Sequence, residues 1–290
     1  MTRRGFLAAL AAAKWDDQRL GVFCGLGKDE TTARRTLEAA RAAGFRRAQI
    51  FFPWTEVDEA FLRALPGWLD DSGVRAEVLG AYVNCLSPGT VIMSCREEHF
   101  ARAIDLAATL GCRHLAAWTG GYAPGLMESD ARNFAPEASD AIGRFLGRYT
   151  RRLEDARLTL ALETYITLAC PDAPSLRRLL DRLPRCVGAV LDPPNLTPVA
   201  RYAERDQVLR EMVDLLKDRV AVVHLKDFTL AEDGRSYKLP GPLKGAMNYP
   251  LFIERILSLP GSPPLVAEHL ALVEFAEARR ALLPLFARIR

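Results

Sequence analysis

A single-domain α/β protein built as a (β/α)8 TIM barrel is the fold that this sequence predicts, and three of its features point there. Eight short apolar runs alternate with longer Ala-, Leu- and Arg-rich stretches of helical period. Four of the later runs end in a residue that can bind a divalent metal: LTLALE at Glu163, GAVLD at Asp192, VAVVH at His224 and PLVAE at Glu268. Parallel strands buried on both faces read as near-continuous apolar runs, and in such barrels the chemistry sits at their C-terminal ends. Length is the third feature, since 290 residues with 49% hydrophobic content suffice for one barrel and its core.

In order along the chain, the first strand is read over residues 20–24 and is followed by a helix over 30–43. Gly44 then stands where a helix C-terminus favours glycine. The second strand, 47–51, leads to a helix over 57–65, and the third, 77–83, to a helix over 97–110. In that helix Phe100, Ala103, Ile104, Ala107 and Leu110 recur at three- and four-residue steps, with Glu98, Arg102 and Asp105 on the other side. Gly111 ends it as Gly44 ends the first.

The fourth strand, 114–118, opens an irregular stretch over 119–135 that contains Gly120, Gly121, Pro124 and Gly125, and a helix is read over 138–156. Strands five and six, 158–163 and 188–192, precede helices over 173–183 and 206–217. After the seventh strand, 220–226, residues 230–245 form the longest polar, breaker-rich stretch before a helix over 249–257. The eighth strand, 265–268, and a helix over 273–289 complete the barrel over 19–290. Both irregular stretches fall on the mouth side of the barrel and are read as substrate covers.

Charge narrows the partners. The formal net charge of +3, from 39 basic against 36 acidic residues without long single-sign runs, carries no footprint for nucleic acid or anionic lipid. No segment approaches the roughly 18 consecutive apolar residues of a membrane span. The expected partner is therefore a small molecule, and a homo-oligomer stays open. Six scattered cysteines without a CxxC pair fit reduced thiols in a cytoplasmic protein. Residues 1–18 read as an extension in which Thr2-Arg3-Arg4-Gly5-Phe6-Leu7 and Ala11-Ala12-Ala13 resemble a degenerate twin-arginine signal. The apolar part between Gly5 and Ala13 is short for that purpose, so cytoplasmic location is the expectation and twin-arginine export the alternative.

Taken singly, Glu163 or Glu268 reads as a carboxylate at a helix N-terminus and His224 as a core histidine. Their joint placement with Asp192 reads instead as one metal site, and three carboxylates with one imidazole suit Mn, Mg, Co or Zn. A divalent ion supplies Lewis acidity, and carboxylates beside it can move protons. Lys226 falls on the same strand face as His224, two residues on, and reads as a substrate contact or as a solvated lysine paired with Asp227 or another loop acid. Trp118 and Trp54 read first as packing, and otherwise Trp118 as a ring that stacks on a ligand's apolar face and Trp54 as lining the mouth. His269 follows Glu268, so alternation turns it away from the site and assigns it a structural role.

These strand ends resemble the sugar phosphate isomerase/epimerase family of the xylose isomerase-like TIM barrel superfamily, to which ketose 3-epimerases, inosose dehydratases and endonuclease IV-type enzymes also belong. The resemblance is carried by ALETY (161–165), LDPPNL (191–196), VVHLKD (222–227), PGPLKGAMNY (240–249) and AEHL (267–270). It implies one divalent metal held by Glu163, Asp192, His224 and Glu268, with Glu163 and Glu268 as the catalytic acid/base pair. The implied activity is a metal-dependent sugar or sugar phosphate isomerase/epimerase working through a metal-stabilised enediolate. The substrate is then a sugar or polyol-derived ketone, contacted by Lys226, Asn195 and Trp118, within carbohydrate metabolism.

Asn195 stands where several relatives have histidine, and an amide there orients a hydroxyl without acid/base chemistry. Only His99, His114, His224 and His269 occur, too few for a three-zinc nuclease. The stretch after His224 reads Lys226-Asp227-Phe228-Thr229-Leu230, without the arginine common in ketose 3-epimerases. An inosose dehydratase-like lyase on the same scaffold and a non-catalytic, metal-containing sugar-binding barrel are the alternatives.

Overall fold

The computed structural model describes residues 19–93 and 95–287, and its strands form where the apolar runs place them. In chain order these are β1 (Leu20–Gly25), β2 (Arg47–Phe51), β3 (Arg75–Asn84), β4 (His114–Trp118), β5 (Thr159–Glu163), β6 (Val187–Leu191) and β7 (Val220–Leu225). Two short strands, β8 (Thr229–Leu230) and β9 (Tyr237–Lys238), precede β10 (Leu265–Ala267). Strands β1 to β7 and β10 close into one barrel in which every neighbouring pair is parallel. The chain is thus a (β/α)8 TIM barrel.

Small and β-branched residues fill the barrel's lower interior. Val78, Ala116, Ala161, Val190, Val222 and Val266 pack there with Tyr82, Trp118 and Tyr165. A second apolar layer lies between the strands and the helices outside them. Because side chains alternate along a strand, Val222, His224 and Lys226 point inward in sequence, and the polar residues stack toward the C-terminal mouth.

The helices are α1 (Glu30–Ala42), α2 (Glu59–Ser72), α3 (Glu97–Thr109), α4 (Pro136–Gly147), α5 (Thr150–Asp155) and α6 (Ala173–Asp181). They continue with α7 (Pro193–Leu196), α8 (Arg205–Leu216), α9 (Tyr249–Leu257) and α10 (Phe275–Ala287). Helix α3 buries Phe100, Ala103, Ile104 and Ala107, the stripe read from the sequence. Four expectations are corrected. Helix α2 continues through Pro66 to Ser72, because burial of Leu65, Trp68 and Leu69 offsets the hydrogen bond proline removes. The helix expected over 138–156 is two, broken near Tyr149, whose ring packs edge-on against Phe100 at 4.9 Å between centroids. The loop over 230–245 holds the β8–β9 hairpin, fastened by Tyr237 against Phe228. The last helix starts at Phe275 after a short 3-10 turn.

Two loops at the mouth are joined through Asn84, the last residue of β3. Its Oδ1 accepts from the backbone N–H of Ser87 (2.9 Å) and Gly121 (3.2 Å), while Nδ2 donates to the carbonyls of Gly121 (2.7 Å) and Thr90 (3.1 Å). Gly120, with φ at 98°, has no room for a Cβ beside the Asn84 carboxamide. The close backbone approach that Gly120 permits is made to Asn84. Gly120→Ala is expected to destabilise the protein by about 1–3 kcal/mol, from left-handed strain and the clash together. A urea melt checks this, and a midpoint equal to wild type would count against it.

Among the described residues no helix is long and apolar enough to cross a membrane. The six cysteines are free, and burial pushes thiols such as Cys24 up to about 12, away from nucleophilic use. The twin-arginine-like extension over 1–18 lies outside the described residues.

Candidate metal centre and its cavity

Glu163 ends β5 and Asp192 directly follows β6, where its side chain accepts the Asn195 N–H and caps the single-turn helix α7. His224 lies in β7 and Glu268 follows β10. Four strands on one side of the barrel thus aim four side chains at one point. All four are buried, and one ligand atom from each lies within 4.8 Å of the others. His224 Nδ1 is 2.9 Å from Glu268 Oε1, 3.3 Å from Asp192 Oδ2 and 3.6 Å from Glu163 Oε1.

Lys226 enters the same cluster, its Nζ 2.7 Å from Asp192 Oδ2 and 3.0 Å from Glu268 Oε1. It is 3% exposed, which rules out the solvated lysine paired with Asp227. Asp227 is occupied elsewhere, accepting the backbone N–H groups of Phe228 and Met247. Burial works against the ammonium, but Asp192, Glu268 and Glu163 outweigh it and hold Lys226 protonated above the usual lysine range.

The same balance governs the partners. Burial opposes the imidazolium of His224, yet Glu268, Glu163 and Asp192 raise it well above the ordinary 6.5. Burial likewise opposes the charged form of Glu268, and His224 and Lys226 overcome it, holding the carboxyl well below its usual range. Glu268 Oε1 is near both cations but is aligned for a hydrogen bond with neither. Such a set fits a divalent ion chemically: carboxylate oxygens and one imidazole nitrogen converge, with one buried oxygen unsatisfied.

Proton inventory makes the fit testable. Its carboxylate neighbours favour the imidazolium of His224, and an ion taking Nδ1 must displace the proton held there. Binding of a divalent ion is expected to release about one proton per chain, with affinity rising about tenfold per pH unit until the raised imidazole pKa is passed. Calorimetry in two buffers of unlike ionisation enthalpy measures the release. An affinity flat across the neutral range would contradict it.

Above the cluster opens a cavity of about 340 Å³. Glu163, Asn195, Lys226 and Glu268 line it, as do Trp118, Tyr82 and Tyr165, beneath an apolar rim that includes Phe23 and Met93. The two irregular stretches reach it through Leu126 and Met127 after β4 and Leu239 after β9. Asn195 Nδ2 donates to Glu163 Oε1 at 2.9 Å, and its own Oδ1 is buried without a partner. The Trp118 Nε1 and Tyr165 hydroxyl are also buried and unpartnered. A polyhydroxylated ligand supplies what such atoms lack, since a hydroxyl both donates and accepts.

A larger opening, about 590 Å³, lies at the opposite end of the barrel near Arg113, Arg157 and Arg219. Its lining has one imidazole, His114, and one carboxylate, Asp218, without the convergent ligand set of the mouth, so chemistry rather than size selects the mouth.

Trp54 takes the packing role, buried with Phe52 and Phe61, its Nε1 donating to the Gly80 carbonyl in the outer layer. One expectation fails: His269 lines the cavity, because the strand has ended and a left-handed φ of 57° swings the ring back. Burial and the nearby Lys226 lower its pKa, leaving it neutral at physiological pH.

Gln49, Tyr82 and Tyr165 are additional site residues that the sequence did not single out. Tyr82 donates to Glu163 Oε2 at 2.9 Å, and Gln49 lies between Tyr82 and His224. The one sequence signal for Gln49 was an amide inside an otherwise apolar strand.

Comparison with known proteins agrees with this architecture. The family model described as xylose isomerase-like TIM barrel matches residues 37–281. A putative hydroxypyruvate isomerase of Streptomyces coelicolor is 30% identical over 148 residues, 45% of this chain. The match spans 53% of that relative's length. A solved D-tagatose 3-epimerase-like protein superposes with a TM-score of 0.69 at 17% identity, covering 93% of this chain and 97% of its own. A xylose isomerase-like TIM barrel protein from Mycobacterium smegmatis, in complex with magnesium, gives 0.67 at 17% identity over 90% of each chain.

Proposed function

Because the chain belongs to the xylose isomerase-like TIM barrel family, we propose that it is a divalent-metal-dependent sugar isomerase or epimerase that moves a proton beside a carbonyl. The observation that carries this reading is the pair of buried glutamates, Glu163 and Glu268, facing each other beside His224 and Asp192 under one cavity. Glu163, Asp192, His224 and Glu268 would hold the ion. When bound, it supplies Lewis acidity toward a carbonyl oxygen and fixes the substrate's orientation.

The chain's own residues supply the rest. Glu163 is tethered at both oxygens by Tyr82 and Asn195, whereas Glu268 Oε1 has no aligned hydrogen bond. Glu268 is accordingly assigned the first proton removal and Glu163 the return, on opposite sides of the reacting carbon. Lys226 holds negative charge developing on the carbonyl oxygen. Asn195 and Trp118 take substrate hydroxyls, and the rim of Phe23, Leu126 and Leu239 excludes water. The named function of the Streptomyces relative, an isomerase, falls in the same class.

His269 at the cavity favours one second reading. A neutral imidazole there can donate a hydrogen bond to a β-hydroxyl that leaves as water with the proton Glu268 has taken, which would make the same proton removal the first half of a dehydration.

Elemental mass spectrometry of stripped and reconstituted protein tests the cage, with about one ion per chain expected. A deuterium-exchange screen of ketoses and inososes then tests the chemistry. Solvent deuterium at carbon without loss of water supports isomerisation or epimerisation, and a dehydrated product supports the lyase. Neither signal across the panel leaves a sugar-binding barrel.

A further inference from the structure

Gln49 lies in the middle of β2 with no solvent exposure. An amide buried without partners costs about 1–3 kcal/mol, so its hydrogen bonds are informative. They form a chain whose direction is forced. The Glu163 carboxylate can only accept, so the Tyr82 hydroxyl donates to it at 2.9 Å. The Tyr82 oxygen then accepts from Gln49 Nε2 at 2.6 Å. Gln49 is left presenting Oε1 to His224 Nε2 at 3.1 Å, a contact that only an N–H satisfies. Nδ1 is therefore the ring nitrogen facing Glu268, Asp192 and Glu163.

Turning the amide over would reverse every bond. Tyr82 would donate to Gln49 instead of Glu163. An amide N–H would face Nε2 and shift the neutral ring's proton to Nδ1, where it excludes a cation.

We propose that Gln49 and Tyr82 are positioning residues for the metal centre, a directional chain that ties Glu163 to His224 and keeps Nδ1 open to the ion. This rests on the cage reading above, and it adds that two residues outside the cage set its affinity. Partners of metal-bound histidines typically change affinity by about 10–100-fold when removed.

The test uses Zn²⁺ alone, with affinity from competition calorimetry and the His224 ring ¹⁵N shifts of the zinc-loaded protein. Gln49→Leu is expected to weaken zinc binding by about 10–100-fold and to alter the Nε2 shift. Tyr82→Phe should weaken it less and leave that shift in place. Gln49→Glu keeps an acceptor opposite Nε2 but cannot donate to the Tyr82 hydroxyl, so it is expected to bind zinc more tightly than Gln49→Leu yet less tightly than wild type. A merely structural role would lower the melting temperature without moving affinity or shifts. Should Gln49→Leu fail to fold, Tyr82→Phe and Gln49→Glu decide by the same readouts. Wild-type zinc affinity in the folded variants overturns the proposal. A wild-type protein that binds no zinc overturns the cage itself.

Discussion

Glutamine at position 268 is expected to slow solvent deuterium exchange into a substrate carbon by about 10²–10⁴-fold, the range a positioned general base contributes. The amide nearly preserves the side chain's shape and hydrogen-bond reach but cannot take a proton. Glu268 is the partner chosen because its buried Oε1 is near Lys226 and His224 yet aligned for a hydrogen bond with neither. Glu163→Gln should also impair the reaction. On the assignment made here, it retains more exchange at the carbon than Glu268→Gln while net conversion is lost, because removal still proceeds and return does not. Proton NMR in heavy water follows both quantities. Exchange in Glu268→Gln at the wild-type rate, with metal bound, would sink the assignment.

Lys226→Met is expected to destabilise the metal-free protein by about 3–5 kcal/mol, the cost of leaving buried charges uncompensated. The ammonium answers Asp192 Oδ2 and Glu268 Oε1 at 2.7 and 3.0 Å, and methionine leaves those oxygens with His224 alone. A saturating divalent ion replaces the lost charge, so metal should stabilise the variant more than it stabilises wild type. The signs with pH follow from the shifts. Lys226 has a raised folded pKa, so its contribution is complete below the unfolded value of about 10.4 and is lost only in strongly alkaline solution. Glu268 has a depressed folded pKa, so its contribution is present above about pH 4.3 and fades as acid protonates it. Urea melts with and without metal check the prediction. Equal stability of the metal-free variant and wild type would show that Lys226 does not balance the cage.

The four cage residues were legible because each closes an apolar run, and a parallel strand buried on both faces has few other places for a charge. Lys226 was legible from the period of two within β7, which continues inward past His224. His269 misled because the same period was extended two residues beyond the end of β10, where a left-handed backbone breaks it. For Trp54 the packing reading held: a tryptophan after a strand can face the mouth or the helices, and its N–H found the Gly80 carbonyl.

Gln49 and Tyr82 mark the boundary between the two kinds of information. The β2–β3 register shifts between Ala48 and Gln49, and that irregularity together with barrel closure decides what Gln49 faces. Local pattern, through apolar runs, helical stripes and turn glycines, determined the barrel and the four strand ends, because burial dictates residue type along each element. Only the closed tertiary structure decided which polar atoms meet across the interior. Hydrogen-bond direction depends on partners 33 and 175 residues away, distances at which sequence spacing carries no geometric information.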